Sequence, residues 1–241
     1  TLADKVLARG AKIGAMYCSG EPLMDPTLFD KYAYGNEIGV LVKDIVGLNS
    51  NVSLLTEEKW EPLLRHTPNI IMSFFNTGAE YERITGRSWT VAYNNATGFI
   101  RYRDAHRPDF RVFIGCNKID GHSLERVQTA FAGYAVEYQQ DCAIHWNTQE
   151  SGLPLTGPLG RLAMFPFWQC DGHKGALQIR NDGACCYCAY DFFGLPDGTH
   201  ETHIGNFFTD TWDQLEAAFR AKWRTPSTLC ARCDYWQGAE A

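Results

Sequence analysis

The residues best suited to chemistry are cysteines gathered towards the C-terminus: Cys170, then Cys185, Cys186 and Cys188, then Cys230-x2-Cys233. Thiolates at such spacing suit Zn²⁺ or an iron–sulfur cluster, since both are soft enough for sulfur and both are served by four such ligands. Asn181-Asp182-Gly183 lies between two apolar runs, residues 176–179 and 184–190, and predicts a hairpin. Side chains alternate along a strand, so Cys186 and Cys188 share a face and Cys185 points away. The hairpin brings Cys170 near one of these, and a C-terminal helix folds the Cys230 pair back, so that four thiolates converge. The competing reading is a set of buried thiols packed as small apolar residues. Cys18, Cys116 and Cys142 lie in or beside apolar runs and read as core.

Composition agrees with metal chemistry. Nine cysteines in 241 residues is an odd count, in a chain too long to need a disulfide scaffold. Hydrophobic residues at 45% and charged residues at 21% are those of an ordinary globular protein, which excludes disorder, collagen and coiled coil. A net charge of -6 and a pI near 5.6 argue against a general nucleic-acid binder, which needs a basic face. No stretch approaches the roughly 18 apolar residues of a membrane span. The chain begins with Thr1, and residues 1–10 read as the end of a helix running into an apolar strand, so a start within the fold is expected.

The elements that must hold these residues alternate. Strands are expected over residues 11–17, 43–48, 69–75, 111–116 and 142–146. Helices are expected after Asp25-Pro26, after Thr56, through residues 89–102 and over 123–138, the last with Leu124, Val127, Phe131 and Ala135 on one face. Strands separated by helices imply βαβ units, a parallel sheet and an α/β fold, either a barrel or an open sheet. Sites in both lie at the C-terminal ends of the strands. The polar residues there are Glu21, Asn49, Asn51, Ser73, Asn76, Asn117 and Asn147. Residues 151–160, rich in Gly and Pro, read as a linker. Beyond it an amphipathic helix is expected over 209–223, with Trp212, Leu215, Phe219 and Trp223 on its core face.

Several segments, in order, resemble the radical S-adenosylmethionine (SAM) enzymes. Cys18-Ser19-Gly20-Glu21-Pro22 resembles the family's G-G-E-P motif, with Ser in the first Gly position. Leu48-Asn49-Ser50-Asn51 resembles the T-N-G-type end of the third strand. Ile71-Met72-Ser73-Phe74 resembles the fourth-strand segment, and Tyr81-Glu82-Arg83-Ile84-Thr85-Gly86 the Y-E-x-hydrophobic-x-G signature after it. Downstream, Cys170, Asp182-Gly183, Cys188, Asp191, the Ile204-Gly205-Asn206 turn, Thr211-Trp212, Phe219-Arg220 and Cys230-x2-Cys233 resemble the SPASM or shorter twitch extension.

The resemblance implies a partial (β/α)6 TIM-like barrel lacking its first strand (residues 1–155), followed by a small hairpin-plus-helix cluster domain (residues 156–241). It implies SAM contacts from Ser19, Gly20, Glu21, Pro22, Asn49, Asn51 and Ser73. An auxiliary 4Fe–4S cluster would be held by Cys170, Cys188, Cys230 and Cys233, with Cys186 and Cys185 as alternatives. The family's C-x3-C-x2-C, which binds the SAM-cleaving cluster, is absent from the sequence; it is expected upstream of Thr1, the alternative being a degenerate, non-catalytic protein. The implied chemistry is reductive cleavage of SAM to a 5′-deoxyadenosyl radical, which takes a hydrogen atom from a small-molecule or peptide substrate. Asn117, His145 and Asn147 are the substrate-facing candidates. A flavodoxin- or ferredoxin-type reductant and a cytoplasmic location follow from the same resemblance. A zinc-binding interaction module is the reading from another class.

Overall fold

The computed structural model describes residues 1–16, 20–42, 47–118, 122–142, 177–180, 182–188 and 201–222. The chain divides into two units, Thr1–Asp141 and Cys142–Ala241. The linker expected at 151–160, and with it the boundary near residue 155, lies outside the described residues.

The first unit begins with α1 (Leu2–Leu7), whose N-terminus is closed by a reciprocal capping box between Thr1 and Asp4. A 3-10 turn (Pro22–Met24) and α2 (Leu28–Glu37) lead to β1 (Leu48–Ser50). A second 3-10 turn (Glu57–Lys59) runs into α3 (Trp60–His66), then β2 (Asn69–Phe74), α4 (Gly78–Thr85), α5 (Trp89–His106), β3 (Arg111–Lys118), α6 (Ser123–Ala130) and β4 (Glu137–Cys142). The four strands form one sheet in sequence order. β1 pairs parallel with β2 and β2 parallel with β3, in the register Asn49↔Ile71 and Ser73↔Gly115. Parallel neighbours need a crossover, and the intervening helices supply it. This is a mixed α/β fold with a sheet flanked by helices. Among the described residues no helix is long and apolar enough to cross a membrane.

The alternation in β2 explains its placement. Ile70, Met72 and Phe74 are fully buried, whereas Asn69, Ile71 and Ser73 are half-exposed on the other face. Burying each of the three apolar side chains contributes about 1.5–3 kcal/mol. Phe74 then anchors an aromatic cluster, with ring centroids 5.9 Å from Tyr81, 5.6 Å from Trp89 and 5.1 Å from Phe131.

Four element boundaries differ from expectation. The strand expected over 11–17 is reduced, in its described part, to one parallel bridge between Ile13 and Leu41. Of the second strand, residues 43–46 lie outside the described residues, and β1 continues to Ser50. Helix α6 stops at Ala130 rather than Tyr138: Val127 and Phe131 are buried but Ala135 is exposed, and Gly133 turns the chain at φ 91°. The strand expected at 142 therefore starts at Glu137, where Arg111 holds the Glu137 carboxylate through two 2.8 Å hydrogen bonds.

The second unit contains β5 (Gln178–Ile179), β6 (Ala184–Cys186), β7 (His203–Asn206) and α7 (Trp212–Lys222). β5 and β6 form the expected hairpin, with Gly183 at φ 83° in its turn. The unit has a third strand: residues 204–206, expected as a turn, belong to β7, antiparallel to β6. Asn206 explains the change, because its side chain donates to the Asp182 carbonyl and accepts from the Phe208 amide. On α7, Leu215 is buried and Trp212 and Phe219 are half-buried; Trp223 lies outside the described residues.

Candidate functional site at the ends of the parallel strands

Glu21 caps the Pro22–Met24 turn, and its carboxylate is the centre of the described site. Oε1 accepts from the Leu23 amide (3.1 Å) and the Ser50 hydroxyl (2.8 Å), and Oε2 accepts from the Asn51 amide (2.8 Å). All three donors are neutral. Among the described residues no Lys, Arg or His is ion-paired with this carboxylate. Each carboxylate oxygen offers two acceptor positions, so Oε2 keeps one for a further donor. A part-buried carboxylate held by neutral donors is suited to an incoming ammonium, which would supply its missing counter-charge.

Ser50, buried at the end of β1, uses its hydroxyl twice. It donates to Glu21 and accepts from the Val52 amide at 2.9 Å. Asn51 folds back in the same way, its Oδ1 accepting from the Ser53 amide at 3.1 Å. Between them Val52 is buried in the left-handed region at φ 56°. A β-branched residue there is an outlier that costs about 1–3 kcal/mol, and it persists only where its surroundings hold it. On the other face of the sheet, the Ser73 hydroxyl donates to Asn49 Oδ1 at 2.6 Å. Gly115, beside Ser73 in register, keeps side-chain volume off this strip; a Cβ there would meet Ile71 Cγ2 at 3.0 Å.

Thus Glu21, the Ser50 hydroxyl and the Asn51 backbone amide form one cluster, and Asn49 and Ser73 form a second on adjacent strands. Pro22 is buried and starts the turn that Glu21 caps. Gly20 is at φ 88°. Ser19 and Cys18 lie outside the described residues, as do His145 and Asn147. Asn117 falls in β3, with its side chain outside the described residues.

The Tyr81–Gly86 signature forms the corner between α4 and α5. Glu82 accepts from the Trp89 amide at 2.9 Å, the Thr85 hydroxyl donates to the Tyr81 carbonyl at 2.8 Å, and Gly86 ends α4 in the left-handed conformation at φ 65°. The Tyr81 hydroxyl is buried and makes no well-aligned hydrogen bond among the described residues. Burial pushes this phenol above its ordinary range; the Thr85 hydroxyl and Arg87 pull it down, and the Glu21 charge pushes it up. A separate groove of 520 Å³ is lined by Thr77, His122, Glu125, Arg126, Thr129 and Ala130, and Arg126 Nε donates to the buried Asn76 Oδ1 at 2.9 Å.

In the second unit Cys185, Cys186 and Cys188 are all buried. β6 ends at Cys186, and its ladder to β7 is irregular between Cys185 and Cys186. The Cys185 thiol donates to the Gly183 carbonyl at 3.5 Å. Cys170, Cys230 and Cys233 lie outside the described residues. Among the described residues no group of three or more His, Cys, Asp or Glu side chains could hold a metal ion.

Sequence reasoning named Asn51 but missed Val52, Gly115 and Asn95. Asn95, on α5, donates from one Nδ2 to the Val52 carbonyl (3.0 Å) and the Ser53 carbonyl (3.1 Å). No signal at position 95 itself points to this contact, which spans more than forty positions of sequence.

No protein-family profile matches the chain. No curated protein matches it either. Among solved structures it is similar to a domain of a pyruvate-formate lyase-activating enzyme from Bacteroides vulgatus, at 13% identity and a TM-score of 0.44, over 61% of this chain and 86% of that one. At that level the likeness carries no functional information.

Proposed function

We propose that the chain belongs to a radical SAM enzyme, that its parallel-strand unit binds SAM, and that its C-terminal unit holds an auxiliary 4Fe–4S cluster. The observation that carries this reading is the Glu21 carboxylate, held by three neutral donors with one acceptor position left for an ammonium. Glu21 would take the amino group of SAM, with Gly20 and Pro22 shaping the turn around it. Asn49, Asn51 and Ser73 would offer polar contacts to the rest of the cofactor, Ser73 towards the ribose. Bound at a reduced iron–sulfur cluster, SAM would supply radical chemistry for hydrogen abstraction from a substrate. No residue of this chain is assigned to that SAM-cleaving cluster, since the sequence contains no C-x3-C-x2-C.

Cys188 with Cys170, Cys230 and Cys233 is the proposed auxiliary ligand set. Cys186, two positions from Cys188, and then Cys185 are the alternates. The proposed substrate is a small molecule or peptide, approached by Asn117, His145 and Asn147, with a flavodoxin- or ferredoxin-type reductant as electron source.

Equilibrium dialysis tests the SAM site. Wild type should bind SAM, and Glu21→Gln, which removes the negative charge, should weaken binding about tenfold or more. Equal binding by wild type and Glu21→Gln, or no binding by wild type, would overturn the assignment.

A further inference from the structure

We infer that Asn95 is a positioning residue for Glu21: its amide holds the strained Val52 turn, and that turn presents the Ser50 hydroxyl and the Asn51 amide to the carboxylate. The inference concerns the proposed SAM site and rests on that reading for its ligand, though not for its geometry.

The chain of contacts is short. Asn95 Nδ2 donates to two successive carbonyls, those of Val52 and Ser53. Val52, between Asn51 and Ser53, sits at φ 56°, a conformation that a β-branched side chain disfavours. The Val52 amide donates to Ser50 Oγ, which fixes the Ser50 hydroxyl proton towards Glu21 Oε1. The Asn51 amide, one residue before the strained position, donates to Glu21 Oε2. If Val52 relaxed to negative φ, the peptide between Asn51 and Val52 would rotate and this set of donors would disperse.

The clamp is well founded. Asn95 stands on the second turn of α5, whose first turn is capped by Ser88 and whose buried face includes Ala92, Ala96 and Phe99. Arg87 adds a second hold on the turn by donating to Ser53 Oγ at 3.2 Å. α5 thus fixes the far side of the turn, and Glu21 occupies its near side. Asn suits the task because its amide nitrogen carries two protons and so can serve two carbonyls at once. An aspartate of the same shape would place an oxygen against both.

Two readouts on the chain test this. In the first, amide hydrogen exchange is followed for wild type, Asn95→Ala and Asn95→Asp. The Asn51 and Val52 amides should exchange about tenfold faster in both variants, while amides in β2 and β3 keep their wild-type rates. Uniform acceleration across the sheet would reduce Asn95 to a general stabiliser. Unchanged exchange at Asn51, or wild-type behaviour of Asn95→Asp, would overturn the role of the amide donors.

In the second, SAM and 5′-methylthioadenosine, which lacks the amino acid moiety, are titrated against the same proteins. Asn95→Ala should weaken SAM about tenfold and leave methylthioadenosine within about twofold of wild type. Equal losses for both ligands would contradict positioning through Glu21. Failure of wild type to bind SAM would remove the SAM assignment, and the exchange result would then decide the structural claim alone.

Discussion

Single hydroxyls and amides determine what the Glu21 carboxylate can do. Ser50 is the most constrained of them, because the residue is 2% exposed and its hydroxyl serves as donor and acceptor at once. Ser50→Ala removes both bonds and leaves the Val52 amide and one Glu21 acceptor short of a partner. The expected cost is about 1–3 kcal/mol in urea-induced unfolding. The same variant should weaken SAM binding, because Glu21 loses an orienting donor; a Ser50→Ala protein with unchanged stability and affinity would contradict the network. At this scale, legibility follows sequence distance. Glu21 and Ser73 can be found from their type and their place after apolar runs. Asn95 cannot, because helix-internal Asn has no pattern of its own and its partners lie on another element. Val52 reads as an ordinary apolar residue, and nothing in its type points to a left-handed backbone.

Elements respond to a balance between local periodicity and distant partners. β2 alternates cleanly and was expected almost to the residue. α6 shows the limit: its apolar spacing continues through Phe131 towards Ala135, but Gly133 and the Arg111–Glu137 pair favour a turn and a strand instead. That pair joins the first residues of β3 and β4 and makes a pH prediction. The Arg111 guanidinium holds the Glu137 carboxyl below the ordinary glutamate range. A carboxyl whose folded pKa is lowered contributes stability that is present above its unfolded pKa and lost as pH falls through the folded one. Stability of wild type should therefore exceed that of Glu137→Gln near neutral pH, and the two should converge as pH falls through the lowered Glu137 range. The difference should be small, since both side chains are more than half exposed, and should shrink with salt. Parallel curves across the whole acid range would show that the pair contributes nothing.

At the scale of the molecule, the alternation of strands and helices was enough to anticipate an α/β unit with its polar residues at the strand ends, and the Asp182-Gly183 turn to anticipate the hairpin of the second unit. β7 was not anticipated, because His203–Asn206 is held by its pairing to β6 and by Asn206 reaching Asp182, neither of which is visible in so short a run. The proposed enzyme needs both units: one to bind SAM through Glu21, the other to hold a cluster through cysteines that include the buried Cys188. The most direct measurement of this joint claim is metal and acid-labile sulfide analysis of the anaerobically purified chain, alone and as Cys188→Ala. A brown protein with about four iron and four sulfide per chain is expected, with both lost in Cys188→Ala. A colourless protein holding one zinc, or a Cys188→Ala variant with full iron, would contradict it.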